Sequence, residues 1–222
     1  MDFFKVIEQL DEILYQVVSW LIFYPITLWR MISAPLKTMQ AAQRELVESE
    51  SKQFEDVVPP PLFLLLTILL VHAIELAAAG DDGVITSTRG LSRLISGDTS
   101  LIVFRILMFS ILPLAASVRL IKARGGQVDT KSLKGPFYAQ CYAAGLFVLL
   151  SDGLALLIER HLSFEDPHYY AILAASLIWL LVVEARWFVA ELGCSLVKGL
   201  GLAATMIVQW ALFFVPVVYL LD

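Results

Sequence analysis

Four ionisable side chains stand where the surrounding residues are almost wholly apolar. "LTILLVHAIELAAAG", residues 66 to 80, carries His72 and Glu75; the next apolar run carries Arg105, and "LLSDGLALL" carries Asp152. A histidine and a carboxylate three residues apart share one helix face. Together with an arginine they can pair to hold helices in register, or form a pathway for an ion or substrate gated by protonation. A charge in hydrocarbon costs at least about 2.5 to 3.5 kcal/mol, so such groups face a bundle interior, pair, or line a wet cavity.

The elements that position them are apolar helices. The 222 residues are 59% hydrophobic and 17% charged, with a mean hydropathy of +0.77. Several stretches run close to the roughly 20 residues that cross about 30 Å of hydrocarbon. The composition predicts an all-α, polytopic membrane bundle. Five spans are expected near 61–79, 100–121, 136–158, 168–185 and 197–221. The connectors between them are mostly short, which favours one compact bundle.

Before the first span, Phe3, Ile7, Leu10, Leu14, Val17 and Leu21 recur at spacings of three and four, with Lys5, Glu8, Asp11 and Glu12 turned elsewhere. That periodicity predicts an amphipathic helix lying in the headgroup region, anchored by Trp20, Tyr24 and Trp29 and bent at Pro25. A competing reading makes residues 13–33 a further span. A charged connector follows, "TMQAAQRELVESESKQFEDV", and three prolines then prepare the first span. The division expected is therefore 1–57, a cytoplasmic amphipathic helix and connector, and 58–222, a five-span domain. The amino-terminal charges also interrupt any signal-peptide core.

Lys5, Arg30, Lys37, Arg44, Lys52, Arg119, Lys122, Arg124, Lys131, Lys134, Arg186 and Lys198 all fall on one side of this topology. Only Arg89, Arg93 and Arg160 fall on the other, which puts the amino terminus in the cytoplasm and the carboxyl terminus outside. Cys141 and Cys194 then lie in the cytoplasmic half, where a structural disulfide is not expected.

Depth arithmetic brings the four polar residues to one level. At 1.5 Å per residue, Glu75 near the outer end of the first span, Arg105 near the outer start of the second and Asp152 near the outer end of the third match to within a few ångströms. Arg105 is expected to pair with Glu75, Asp152 or both. The set carries one surplus negative charge, which a proton on a carboxylate or on His72 would cancel. Two uses compete: an ion or substrate pathway, and a purely structural register device. The pair "HAIE" falls short of a metal centre, no second such pair being present. No cofactor is expected, and nothing marks an enzyme: glycine motifs lack nucleotide-binding context and no serine sits in an elbow.

Secondary features are packing signals. Cys141, Gly145 and Asp152 fall on one stripe; Ala171 with Ala175 and Gly199 with Ala203 have the small-xxx-small spacing of close helix crossings. Gln209 is expected to hydrogen-bond to a neighbouring helix. His168, Tyr169 and Tyr170 read as an outer interfacial belt, and Glu184 with Arg186 as its cytoplasmic counterpart.

"YPITLWRMISAPLKTM", "VVPPPLFLLLTILL" and "GPFYAQCYAAGLFVLL" together resemble the five-span Yip domain family, in its bacterial branch. The resemblance implies a multi-pass protein of the bacterial inner membrane. Eukaryotic members interact with Rab proteins of the early secretory pathway, whereas bacterial relatives are commonly labelled permeases without an assigned substrate. The family carries no catalytic residues to transfer. The long soluble amino-terminal region of the eukaryotic members has no counterpart here, which weighs against a GTPase partner. The sequence thus predicts a permease-like or channel-like protein with a pathway through His72, Glu75, Arg105 and Asp152. The competing prediction is a non-transporting scaffold that shapes membrane or binds a partner protein. The lipid bilayer is the expected environment, a homo-oligomer or membrane partner is expected for either, and no basic tract suggests nucleic acid.

Overall fold

The computed structural model describes residues 3–48, 53–79, 98–154 and 167–221, and all regular structure in them is helical. The helices are α1 (Phe3–Ser33), α2 (Pro35–Glu45), α3 (Pro60–Ala79), α4 (Asp98–Ala123), α5 (Thr130–Val148), α6 (Pro167–Leu192) and α7 (Leu196–Leu221), with a π turn at Leu149–Gly153 continuing α5. Among the described residues four segments are long and apolar enough to cross a membrane: Pro60–Ala77, Ile102–Ala123, His168–Leu192 and Leu196–Phe214. Their outward faces are apolar as well, with Leu70, Val103, Leu107, Ile178, Val182, Val208, Leu212 and Phe213 exposed. A water-soluble bundle turns polar residues outward at such positions; these suit lipid.

The middle helix is α5. Every residue from Ala139 to Val148 is buried, and α5 packs chiefly against α4, α3 and α2. Its central place explains its composition: enclosed by protein, it needs no lipid-facing side chains and can carry Gln140. Its start is set by Asp129, whose side chain accepts from the Lys131 and Ser132 backbones while Ser132 reaches back to Asp129 N–H. The Ser132 N–H bond, above all, holds the exposed Asp129 carboxyl below the usual carboxylate range. The expected third span, 136–158, begins six residues into α5; its last residues, 155–158, lie outside the described ones.

Close packing rests on two glycines. A Cβ at Gly145 would meet the Phe63 ring at 2.8 Å, and one at Gly199 would meet the Ala185 carbonyl oxygen at 2.7 Å. A ring can turn, whereas a helix carbonyl cannot. We expect Gly199→Ala to lower stability by about 1–3 kcal/mol through overpacking between α6 and α7. Gly201, two residues on, has nothing within 4 Å of its added Cβ, so Gly201→Ala should leave thermal unfolding in detergent unchanged or slightly raised. Equal effects at both glycines would show that the α6–α7 contact tolerates a methyl group. Ala171 and Ala175, by contrast, are exposed on the outer face of α6.

Three elements run differently from the sequence expectation. The amino-terminal helix, expected over residues 3–23 with a bend at Pro25, carries Pro25 inside it and continues to Ser33. Its inner side is tied down there: Tyr24 Oη lies 2.9 Å from Thr67 Oγ1, and the Val58 N–H donates to Thr27 Oγ1 at 3.0 Å. Its outer side, with Val17, Leu21, Ile22, Ile26 and Trp29, is exposed. Within the charged connector, α2 buries Thr38, Met39 and Ala42 on one face and joins the core beside Met31, Phe63, Tyr142 and Trp187.

The third difference is the length of α6. It runs on to Leu192, seven residues past the expected end at 185, because Trp187 and Phe188 plug into the core with no exposure. Gly193, at φ 59°, then ends it.

Candidate functional site

The level of the polar layer follows from α3 and α4 running in opposite directions. Glu75 lies 15 residues into α3 and Arg105 seven residues into α4, and the two meet. Arg105 Nη1 is 2.5 Å from Glu75 Oε2 and 3.5 Å from His72 Nδ1, while His72 Nδ1 is 3.7 Å from Glu75 Oε2. The side chains are 21%, 22% and 5% exposed for Arg105, Glu75 and His72. At 2.5 Å in a mostly buried site the ion pair dominates the local electrostatics.

An arginine only donates, so His72 Nδ1 accepts and the ring proton sits on Nε2. That N–H is buried with no hydrogen-bond partner among the described residues, and Glu75 Oε2, although in charge contact with Arg105, lacks an aligned hydrogen bond. A pair kept only for packing satisfies its polar atoms; here the His72 Nε2 donor inside the bundle has no partner among the described residues.

Asp152 belongs to the same layer but pairs differently. It lies within electrostatic reach of Arg105, Glu75 and Tyr169, without an ion pair to Arg105 among the described residues. Its backbone is in the π turn Leu149–Gly153. One residue on, a Cβ at Gly153 would come within 3.2 Å of Val71 Cγ2 and 3.0 Å of Leu149 Cδ1, so this turn is pressed against α3. Single π turns inside α-helices recur at functional sites, because the extra residue re-aims a side chain and leaves a place that can rewind.

A second polar centre lies deeper. Gln140 Nε2 donates to Glu184 Oε2 at 2.8 Å, joining α5 to α6, and the two residues are 1% and 0% exposed. Glu184 Oε1 and Trp187 Nε1, one turn apart on α6, are both buried with no hydrogen-bond partner among the described residues. Placed by sequence at the cytoplasmic interface, Glu184 instead points into the core, since α6 extends beyond it. Neither Gln140 nor Trp187 was a sequence-predicted site residue. The signal available was Glu184 amid "LLVVEARWF", preceded by four bulky apolar residues and followed within four by Trp187 and Phe188.

The two centres are separated by apolar core. From Gln140 to Asp152 is twelve residues, about 18 Å along α5, and between them Cys141 to Val148 are all buried. Elsewhere, Arg119 donates to Thr205 Oγ1 and Gln209 Oε1, tying α4 to α7; Gln209 thus bonds to a neighbouring helix on the bundle's outer side. Among the described residues no three His, Cys, Asp or Glu side chains converge as a metal site. No family model, no curated protein and no solved structure matches this chain.

Proposed function

We propose that this is a five-span, permease-like membrane protein that moves a small ion or solute, with protonation of interior carboxylates coupled to the movement. The observation that supports this most strongly is the set of buried polar atoms inside the bundle that have no hydrogen-bond partner among the described residues, His72 Nε2 in one half and Glu184 Oε1 in the other. Ionisable groups in such places are costly, and functional use is the general reason they are kept. The fifth span in this reading is α5 with its π turn, 24 residues in all, about 36 Å long. The lysine and arginine distribution supports an amino terminus in the cytoplasm, with His72, Glu75, Arg105 and Asp152 in the outer half.

The apolar stretch between the two centres favours a carrier over an open channel. An ion cannot cross about 18 Å of packed side chains unless helices move. Two features supply movement: the π turn beside Asp152, and Pro113 inside α4, where a backbone hydrogen bond is missing. In this mechanism Arg105 holds Glu75 until a proton or an anion displaces one partner. The site then opens toward Asp152, and Glu184 receives or releases a proton on the cytoplasmic side. The resemblance to the Yip domain family and its bacterial permease-labelled branch is compatible with an inner-membrane location.

The test is reconstitution into liposomes, following proton, potassium, sodium and chloride flux in wild type and in Asp152→Asn. Flux in wild type that falls at least about tenfold in a folded variant is expected, the loss of one proton-carrying group being the only change. Absence of flux for every ion and in every orientation would remove the ion pathway. A second reading, a scaffold that holds a partner or shapes membrane, is favoured by the outward apolar face of α1 at Leu21, Ile22, Ile26, Trp29 and Ile32. Deleting residues 1–23 separates the two: a carrier keeps its flux, whereas a scaffold loses binding to membrane or partner.

A further inference from the structure

At the end of the bundle where α1 meets α2, the fold forms an open cleft of about 300 Å³ lined by Arg30, Lys37, Arg44, Glu45, Phe54 and Tyr142 among others. Three cations face one carboxylate across this space, and the carboxylate is engaged: Glu45 Oε2 accepts the Phe54 N–H at 2.6 Å. Arg30 is held by Asp56 at 2.7 Å. Among the described residues Lys37 and Arg44 have no carboxylate within ion-pair distance. The backbone N–H leaves the Glu45 charge in place, so with Arg30 matched by Asp56 the two remaining cations exceed the one carboxylate and the cavity lining is net positive.

Its walls are built rather than incidental. Phe54 takes the left-handed conformation, φ 58°, which an aromatic residue adopts only when its surroundings enforce it; such residues gather at ligand clamps. The Tyr138 ring packs on Phe54 at 6.1 Å between centroids. Tyr142 Oη donates to the Val58 carbonyl at 2.6 Å, fixing the floor.

Position and shape indicate the ligand. Val57, also in the wall, is three residues from Pro60, where the first membrane-crossing segment begins. That places the cavity at headgroup depth. On α1 the exposed residues Ile22, Ile26 and Trp29 form one stripe that continues to Ser33 in the cavity lining. The volume is at the small end of ligand sites, matching a headgroup and not a whole lipid.

We propose that this cavity binds the phosphate of an anionic phospholipid, Lys37 and Arg44 contacting the phosphate and the acyl chain lying along the Ile22–Trp29 stripe. Arginine and lysine pockets at the cytoplasmic ends of membrane helices are suited to such headgroups. The site is separate from the carrier reading and stands or falls without it.

The test uses purified full-length protein in a neutral detergent. Thermal unfolding is followed while titrating dioctanoyl phosphatidylglycerol, dioctanoyl phosphatidylcholine or glycerol 3-phosphate, in wild type and in Lys37→Gln/Arg44→Gln. Both residues are exposed, so the double variant should unfold at the wild-type temperature without lipid. Phosphatidylglycerol is expected to protect wild type at concentrations about tenfold or more below phosphatidylcholine, and the double variant to lose that preference. Lys37→Arg should retain it. Glycerol 3-phosphate protecting as well as the lipid would overturn the lipid assignment and give the site to a soluble phosphate ester. Equal protection by both lipids in wild type, or an undiminished preference in the double variant, would overturn the phosphate site altogether.

Discussion

Arg105→Met is expected to destabilise the folded bundle by about 3 kcal/mol, because it leaves Glu75 and Asp152 in a mostly buried layer with no counter-charge. The contact itself, 2.5 Å between Arg105 Nη1 and Glu75 Oε2, is not the whole of that loss. Taking away one partner exposes the desolvation cost of the other. Arg105→Met combined with Glu75→Met should therefore recover most of the stability, since two thioether side chains fill the space without a charge. Unfolding in detergent gives both values. If the double variant proved no better than Arg105→Met alone, the pair would be contributing shape and not charge balance.

Gln140→Leu is the second large effect, expected at about 1.5–3 kcal/mol. Glu184 has no other hydrogen bond among the described residues, and leaving a buried acceptor without its donor in a closed core costs in that range. Interhelical hydrogen bonds in membranes average nearer 0.6 kcal/mol because the unfolded chain finds other partners there. The higher figure applies here because both residues are at most 1% exposed and no lipid-facing route offers Glu184 a replacement. With Glu184→Leu already present, Gln140→Leu should be nearly neutral. A cost as large in that background as in wild type would assign the effect to packing of α5.

The Arg105–Glu75 meeting was legible because it depends on two quantities that a sequence carries, depth along a helix and the direction in which each span runs. Four of the expected spans correspond to long apolar helices for the same reason. Gln140 and Glu184 escaped because they meet by rotation about the axes of α5 and α6, and a helix apolar all round gives no moment to orient it. The extension of α6 was hidden by Glu184, Arg186 and Glu191, which lower the hydropathy just where the helix continues. Only Glu184 turns to the core; Arg186 is exposed, and Glu191 pairs with Arg124 at 2.6 Å.

The packing of the amino-terminal region was not legible in the sequence. Tyr24, Thr27 and Met31 could be recognised as one face, but their partners, Thr67, Val58 and the buried cluster, come from later in the chain. The α2 helix shows the opposite lesson. Thr38, Met39 and Ala42 keep a three-to-four spacing inside a connector dominated by charge, so periodicity was the better guide there than composition.

The most direct test of a carrier that uses both polar centres is proton flux into liposomes holding a pH gradient, measured for wild type, Glu75→Gln and Glu184→Gln after each is shown to be folded. The account predicts proton flux in wild type and its loss in each variant separately, since neither centre reaches across the apolar stretch of α5 alone. Undiminished flux in Glu184→Gln, or no flux in wild type, would contradict it.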